Sequence, residues 1–239
     1  MAKLLWSELQ KGIRRMNYTH LTPSDIERTS MSIISKELEE MGIEIPEENM
    51  AVVKRVIHTT ADFEFAKTLK FTSNATQRAA EAITKGITIV TDTNMAKSGI
   101  SQIGLDKFGG RKECFMSDAD IAQEAKNEGT TRAAASMKKA AKLYPGCGIA
   151  CGNAPTALIE ICRLIREEDF RPAFVAAVPV GFVNVVEAKE EIFELCGERD
   201  IPCIAAMGRK GGSTIAATIC NALIYSAADM LDPAKRGWN

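Results

Sequence analysis

The second half of the chain repeats one pattern three times: a short apolar run, a turn containing glycine or proline, and a segment that favours a helix. The three apolar runs are residues 149–151, 173–178 and 201–207. Strands that are apolar along their whole length are buried on both faces, and strands that alternate with helices form parallel sheets. The pattern predicts an α/β fold with three layers, in which helices cover both faces of a mostly parallel, doubly wound, flavodoxin-like sheet.

The first half of the chain is predicted to be mainly helical, with one strand at residues 87–92. Helices are predicted at residues 22–41, from Pro46 to the region of His58, and at residues 73–85. Ser117 and Asp120 have the spacing of a capping box, and Asn184 with Glu187 suits the start of a later helix.

The chain shows no internal repeat, linker or low-complexity segment, so residues 1–239 are predicted to form one domain. Residues 1–20 are amphipathic and lack the apolar core of a signal peptide. They are interpreted as an N-terminal extension of unknown role.

Charge and cysteine content limit the classes of function. The chain has 30 basic and 31 acidic residues, whereas a nucleic-acid-binding protein usually has a clear basic excess. No apolar run reaches the roughly 18 residues that a membrane span needs. Seven scattered cysteines without a secretion signal indicate reduced thiols and a cytoplasmic protein. Cys147 and Cys151 lack a second pair or a nearby histidine, so no metal site is predicted.

His58 is one of only two histidines, and few side chains of this chain can therefore exchange a proton near neutral pH. Helical spacing places Lys54, Arg55 and Asp62 on the same face as His58. The two cations favour the neutral imidazole and Asp62 favours the charged form, so the direction of any pKa shift stays open. A histidine on a solvated, charged helix face is the alternative interpretation.

Four predicted strand-to-helix junctions carry glycine, proline or polar residues: 91–92, 152–153, 179–181 and 208–213. Ligands of open parallel sheets bind beyond the carboxyl ends of the strands. Arg209 and Lys210 add cations to the last junction, and Arg132 begins another predicted helix. The junctions together predict a site for a ligand that carries carboxylates or phosphates and has apolar bulk.

Common nucleotide and hydrolase motifs do not fit the sequence. In residues 208–213 the lysine precedes the paired glycines, unlike a P-loop, and residues 146–148 fail as a dinucleotide fingerprint because they lie before a strand. No Gly-x-Ser-x-Gly nucleophile elbow is present. A nucleotide- or phosphate-dependent enzyme on the same α/β frame stays open as an alternative.

Six ordered motifs between Ser30 and Leu223 together resemble those of one enzyme family. They are residues 55–63, 91–100, 131–132, 152–158, 179–189 and 208–213. The series resembles the precorrin-8X methylmutases, and most closely the cobalt-precorrin-8 methylmutases of the anaerobic vitamin B12 route. The first twenty residues lie largely outside the resemblance.

The resemblance implies an isomerase that moves a methyl group from C-11 to C-12 of a tetrapyrrole, giving cobyrinate or hydrogenobyrinate. It implies no organic cofactor, and any cobalt belongs to the substrate. It also implies a homodimer without nucleic-acid or membrane partners. A non-catalytic corrinoid-binding protein is the second alternative.

The resemblance also assigns roles to individual residues. His58 matches the family's catalytic histidine, a general acid that protonates the ring and later takes the proton back. The positions that match substrate-binding residues are Ser30, Arg55, Thr91, Asp92, Arg132, Lys210 and Gly211.

Overall fold

The computed structural model of the chain describes residues 22–237. The first half contains six helices and three strands, in the order α1 (Pro23–Glu40), α2 (Glu47–Thr60), α3 (Phe65–Thr68), β1 (Leu69–Phe71), α4 (Ala75–Thr84), β2 (Thr88–Thr91), α5 (Asn94–Gly99), α6 (Gln102–Asp106) and β3 (Arg111–Glu113). The predicted N-terminal extension, residues 1–20, lies outside the described residues, so its role stays a prediction.

The second half alternates regularly between helix and strand. Its elements are α7 (Ala119–Glu128), α8 (Arg132–Leu143), β4 (Gly148–Cys151), α9 (Pro155–Glu167), β5 (Phe174–Ala177), α10 (Val185–Glu198), β6 (Cys203–Ala206), α11 (Ser213–Ala227) and a final 3₁₀ turn (Pro233–Arg236). Each predicted apolar strand is present: β4 is one residue longer than its apolar run, and β5 and β6 are two and three residues shorter than theirs.

The strands form one six-stranded sheet in the order β1-β6-β5-β4-β2-β3. Strands β2 to β6 are parallel, and β1 pairs antiparallel with β6 at the sheet edge. Counted by themselves, the five parallel strands have the order 2-1-3-4-5, which is the flavodoxin arrangement. The predicted doubly wound fold is confirmed.

Alternate residues of each central strand enter different cores, as the two-residue period of a strand requires. Ala150 and Phe174 pack with α1, α2, α4, α5, α6 and α11 on one face of the sheet. Ile149 and Val175 pack with α7 to α10 on the other face. The helices therefore form the two outer layers that the apolar strands predict.

Helix α11 is the central helix of the first face. It is buried along most of its length, from Ile215 to Ile224, because it lies between the sheet and α2. A helix with apolar residues on all sides needs such enclosure. Within residues 22–237, no helix is long and apolar enough to cross a membrane.

Of two predicted helix starts, the one at Asn184 is confirmed and the one at Ser117 is wrong by one residue. Asp118, one residue after the predicted Ser117, is the N-cap of α7, and its side chain makes no capping hydrogen bond. The carboxylates of Asp118 and Asp120 instead bind Lys139 at 2.8 and 2.7 Å. Asn184 is the N-cap of α10 in a left-handed conformation, with φ 57°, and also makes no capping bond. Asparagine tolerates this conformation better than most residues.

Gly148 allows the central strands to pack against an aromatic ring. A Cβ atom at this position would lie 2.3 Å from the ring of Phe174. Gly148→Ala is expected to reduce the free energy of unfolding by about 1–3 kcal/mol, because the core would be overpacked. Urea unfolding measures this change.

Gly197→Ala is the matched control, since nothing lies within 4 Å of its Cβ position on α10. It should stabilise the protein by up to about 1 kcal/mol through helix propensity. Equal stability of Gly148→Ala and the native chain would contradict the packing described here.

Candidate active site

The candidate site lies at the edge of the sheet where the parallel strands end, named here the carboxyl edge. It comprises the connections after β2, β4, β5 and β6 together with the end of α2. Strand β1 runs antiparallel to β6, and its first residue, Leu69, pairs with Ala206, the last residue of β6. The chain therefore enters β1 from the carboxyl edge, and the segment from His58 to Thr68 lies there.

Lys210 joins the end of α2 to the connection between β6 and α11. Its Nζ lies 2.6 Å from Oδ2 of Asp62 and 2.9 Å from Oε2 of Glu64. The hydrogen bond from Lys210 lowers the pKa of Asp62. Nearby, Thr218 of α11 and Thr59 of α2 join their hydroxyl groups at 3.2 Å. These contacts position the last turn of α2, and with it His58, beside the strand ends.

His58 itself is exposed at the end of α2. Its imidazole has no hydrogen-bond or ion-pair partner within residues 22–237. The carboxyl edge therefore presents an unengaged proton donor and acceptor to any ligand that lies on it.

The predicted charged helix face around His58 is wrong for Asp62, while Lys54 and Arg55 lie on the same helix as predicted. Helix α2 ends at Thr60, and Ala61 adopts a left-handed conformation with φ 53°, which turns the chain away. Asp62 therefore leaves the face that carries His58 and pairs with Lys210. Arg55 also has another partner, since its guanidinium pairs with Glu27, whereas Lys54 stays on α2 one turn before His58.

Arg55 lies in a nearly buried ionic cluster between α1, α2 and the final turn. Its guanidinium contacts the carboxylate of Glu27 at 2.9 Å, and Arg236 contacts the same carboxylate at 2.6 Å. Both guanidinium groups also lie on the ring of Tyr225, at 4.9 and 4.8 Å from its centroid. Burial alone would raise the pKa of Glu27, but the two arginines lower it overall. Arg55 therefore holds α1 against α2, and its predicted contact with substrate stays a prediction.

Ser30 is half-buried on α1. On α1, Ser30 lies about one turn from Glu27, on the side nearer the connection between α1 and α2. On α2, His58 lies about one turn from Arg55, on the side away from that connection. At 1.5 Å per residue, the two are about 9 Å apart along the helix axes. A tetrapyrrole could span that separation, so the predicted contact of Ser30 with substrate stays open.

Asp92 and Thr91 are buried and have internal partners. The carboxylate of Asp92 accepts hydrogen bonds from the backbone N–H groups of Gly152, Asn153 and Ala154 at 2.7–2.9 Å. Thr91 donates to the carbonyl oxygen of residue 93 at 2.9 Å. Asp92 thus fixes the loop that follows β4, and Thr91 fixes the start of the connection that follows β2. The predicted contact of Thr91 and Asp92 with substrate stays a prediction.

The usual ligand crevice of this fold is occupied by the protein itself. In flavodoxin-like sheets the crevice opens where the strand order reverses, here between β2 and β4. A Cβ atom on Gly152 would lie 2.6 Å from Cα of Ser213, and the hydroxyls of Thr93 and Ser213 are 2.7 Å apart. The start of α11 thus closes the crevice, and a ligand must bind further out along the carboxyl edge.

Arg132 is exposed at the first position of α8. Thr131 caps this helix, and its hydroxyl lies 2.8 Å from that of Thr156 on α9. Helix α8 leads into the start of β4, so its own first turn lies at the carboxyl edge. The structure therefore brings Arg132 to the same edge as Lys210 and His58.

The connection between β5 and α10 adds apolar surface to the carboxyl edge. Phe182 is 82% exposed and Val183 is 75% exposed. The guanidinium of Arg209 lies 5.4 Å from the centre of the Phe182 ring. Exposed apolar side chains beside cations fit a ligand that has both apolar bulk and negative groups.

Lys189 is the residue of this edge whose role sequence reasoning missed. It lies on the apolar stripe of α10 with Val185, Ala188 and Ile192, and it is fully buried. Its Nζ donates to the carbonyl oxygens of Gly208 and Lys210, both at 2.8 Å. A lysine at a core position of an amphipathic helix is the sequence signal that could have found it.

A surface cavity of about 720 Å³ lies elsewhere, at the amino ends of the strands, and is lined by residues that include Lys138, Phe170 and Arg171. It contains none of the predicted site residues. Among the described residues, no group of three or more histidine, cysteine or acidic side chains could hold a metal ion.

The role of Asp92 is tested by Asp92→Asn. The asparagine side chain keeps one acceptor oxygen but places its NH₂ group, which is a donor, against the backbone N–H groups that now donate to Asp92. The free energy of unfolding should therefore fall by about 1.5–3 kcal/mol. Thermal and urea unfolding measure the change. Asp106→Asn is the control, because Asp106 is exposed and accepts from the side chain of Gln102; its effect should stay within about 0.5 kcal/mol. Equal stability of the two variants would contradict the structural role.

The burial of Lys189 predicts a pH-dependent stability. Burial lowers its pKa from 10.5 to about 8. The unfolded chain therefore holds this proton more tightly, and the stability of the folded state rises as the pH increases from about 8 to about 10.5. Relative to Lys189→Met, the native chain should gain on the order of 1–3 kcal/mol between pH 7.5 and pH 10. Urea unfolding of both chains measures the difference, and parallel pH curves would contradict the prediction.

Comparison with known proteins shows the family of the chain. Residues 25–226 match the family model for precorrin-8X methylmutase. The chain is 41% identical over 201 residues to the cobalt-precorrin-8 methylmutase of Priestia megaterium, which is 84% of this chain and 87% of that protein. It is 43% identical over 204 residues to the cobalt-precorrin-8 methylmutase of Leptospira interrogans, and the match covers 84% of this chain and 92% of that protein.

The fold agrees with a solved structure of the same family. The precorrin-8X methyl mutase from Thermus thermophilus matches with a TM-score of 0.76 at 35% identity, over 85% of this chain and 98% of that one. Sequence and fold therefore agree over most of the chain. The chain belongs to the precorrin-8X methylmutase family, and it is a methylmutase, an isomerase that moves a methyl group within one molecule.

Proposed function

We propose that this enzyme moves the methyl group from C-11 to C-12 of cobalt-precorrin-8, giving cobyrinate, with His58 as the proton donor and acceptor. The observation that carries the proposal is the position of His58. Its exposed, unengaged imidazole lies at the carboxyl edge, beside the contact of Lys210 with Asp62. The curated relatives compared above are named cobalt-precorrin-8 methylmutases, which favours the cobalt-bearing substrate over precorrin-8X.

Binding of the substrate is assigned to the cations and apolar residues of the carboxyl edge. The acetate and propionate groups of the macrocycle are anionic, and Arg132, Arg209 and Lys210 lie at this edge. The apolar ring system matches the exposed side chains of Phe182 and Val183. A carboxylate held by arginine or lysine is bound by charge-assisted hydrogen bonds, which are stronger than neutral ones.

The chemistry requires little beyond binding and one proton. The migrating methyl group stays within the molecule, and the substrate and product have the same composition and oxidation state. We therefore propose that no organic cofactor takes part and that cobalt enters only as part of the substrate. His58 protonates a ring nitrogen next to the migrating carbon and then recovers the proton. Positioned acid catalysis of this kind contributes about 10²–10⁴-fold to the rate.

Two finer features are proposed from less direct observations. A homodimer is proposed from the family, and the exposed Ile26 and Ile33 on the outer face of α1 support a protein contact there. A cytoplasmic location is proposed because all seven cysteines are buried and unpaired, as expected in a reducing compartment.

The rival functions differ in what they predict for the same protein. The comparisons do not favour a nucleotide-dependent enzyme, and binding of ATP or NAD without binding of a corrinoid would support it. A non-catalytic corrinoid carrier would bind cobyrinate tightly but would leave the visible spectrum of cobalt-precorrin-8 unchanged during incubation.

The role of His58 is tested by His58→Ala. Removal of the imidazole should reduce turnover of cobalt-precorrin-8 by about 10²–10⁴-fold, because the general acid is lost. The dissociation constant of cobyrinate should change little, since the cations remain. Spectroscopic assays measure the rate, and absorbance titration measures the binding.

Glu48→Ala serves as the control for the His58 variant, because Glu48 is exposed in the first turn of the same helix and far from the edge. It should retain native turnover. Native turnover by His58→Ala would remove His58 from the mechanism, even if the protein remains a methylmutase.

A further inference from the structure

Lys189 forms an unusual contact beneath the connection between β6 and α11, residues 207–212, named here the β6–α11 loop. The lysine is fully buried, and its ammonium group faces the loop from within the protein. It donates to the carbonyl oxygens of Gly208 and Lys210, two residues apart in the chain. Both carbonyl groups therefore point inward.

The direction of the carbonyl groups fixes the direction of two backbone N–H groups. Every peptide bond of the described chain is trans, and the C=O and N–H of a trans peptide point in opposite directions. Since the carbonyls of Gly208 and Lys210 point inward, the N–H groups of Arg209 and Gly211 point outward, to the carboxyl edge. In residues 22–237 neither N–H group has a hydrogen-bond partner.

The loop is held in this arrangement from several sides. The N–H of Gly212 donates to the carbonyl of Val178 at 2.8 Å, and the N–H of Gly181 donates to the carbonyl of Arg209 at 3.2 Å. A Cβ atom on Gly211 would lie 2.2 Å from the carbonyl oxygen of Val178, so glycine is required there. The outward N–H groups are thus preorganised before any ligand binds.

We propose that Lys189 orients the β6–α11 loop so that the N–H groups of Arg209 and Gly211 together bind one peripheral carboxylate of the substrate. Lys189 is then a positioning residue, because it acts through the loop and does not touch the ligand. The proposal rests on the proposed function, since it assumes a substrate rich in carboxylates.

The chemistry of the lysine suits this role. Its positive charge lies at the inner, negative ends of two peptide dipoles, so the outer ends present positive potential to an anion. Backbone N–H groups that point together into a concave surface are a common device for binding anions. The side chain of Arg209 adds a cation to the same loop, whereas the ammonium group of Lys210 is paired with Asp62 and Glu64. The site is therefore suited to a carboxylate, which accepts two hydrogen bonds at once.

The proposal is tested by comparing Lys189→Met with Glu190→Met, a control in the adjacent, exposed position of the same helix. Hydrogen–deuterium exchange of the full-length protein reports on the loop through the Gly212 amide, which is protected by Val178. Lys189→Met should accelerate exchange of the peptide around residues 207–213 by about tenfold or more, and Glu190→Met should not.

Binding and turnover provide the second measurement. Lys189→Met should raise the dissociation constant of cobyrinate and the KM for cobalt-precorrin-8 by about 10- to 100-fold, because a charge-assisted pair of hydrogen bonds is lost. The kcat should stay within about threefold of the native value, because His58 is untouched. If Lys189→Met does not fold, Lys189→Arg and Lys189→Gln are compared instead. Lys189→Arg retains a charged donor for the two carbonyl groups, so its loop exchange and its affinity for cobyrinate should stay closer to native than those of Lys189→Gln.

The outcomes separate this proposal from the proposed function. If the native protein does not bind cobyrinate, the proposed function fails, while the exchange measurement still reports on the loop. If the native protein binds it and Lys189→Met binds it equally well, with unchanged loop exchange, the role of Lys189 is overturned. A kcat that falls with an unchanged KM would also overturn it, because the residue would then act in the chemical step.

Discussion

The contact of Lys210 with Asp62 and Glu64 is the interaction on which the geometry of the site depends. It joins residues 148 positions apart in the chain and brings the end of α2 to the strand ends. The partners are partly exposed, and ion pairs of this kind contribute only about 0–1 kcal/mol to stability. Their importance is therefore in position. The burial of α2 against α11 supplies the stabilisation, and the ion pairs set where the last turn of α2, with His58, lies.

The polar residues of the carboxyl edge fall into two groups with different roles. Asp92, Lys189 and Arg55 are buried or nearly so and bind other parts of the protein. His58 and Arg132 are exposed and have no partner in the part of the chain that the structure describes. The first group holds loops and helices in place, and the second group is proposed to face the ligand. The start of α11 closes the crevice between β2 and β4, so the ligand is expected on an open surface that suits a large, flat macrocycle.

Much of the fold could be predicted from local patterns. The apolar runs of β4, β5 and β6 identify buried parallel strands because both faces of these strands need apolar residues. Strands β1 and β3 were missed, since each has three residues and lies at a sheet edge, where pairing depends on a distant strand. The capping box at Ser117 failed for a similar reason, because Lys139, about 20 residues away, binds the acidic side chains.

The site could be predicted less completely than the fold. Motif resemblance predicted His58, Arg132 and Lys210 as site residues, and the structure brings all three to one edge, while their contact with substrate stays a prediction. It could not show that Arg55 binds Glu27, or that Asp92 binds three backbone N–H groups, because these contacts join segments that are distant in sequence. Lys189 was missed because a single lysine within an apolar stripe has no local pattern that reveals two carbonyl partners 19 and 21 residues away.

The most direct test of the account is a crystal structure of the protein with cobyrinate bound. The account predicts that the macrocycle lies on the carboxyl edge, with the imidazole of His58 within about 3 Å of a ring atom near C-11 or C-12 or of a ring nitrogen. A macrocycle bound at the opposite edge, in the cavity lined by Lys138 and Arg171, with His58 out of contact, would contradict it.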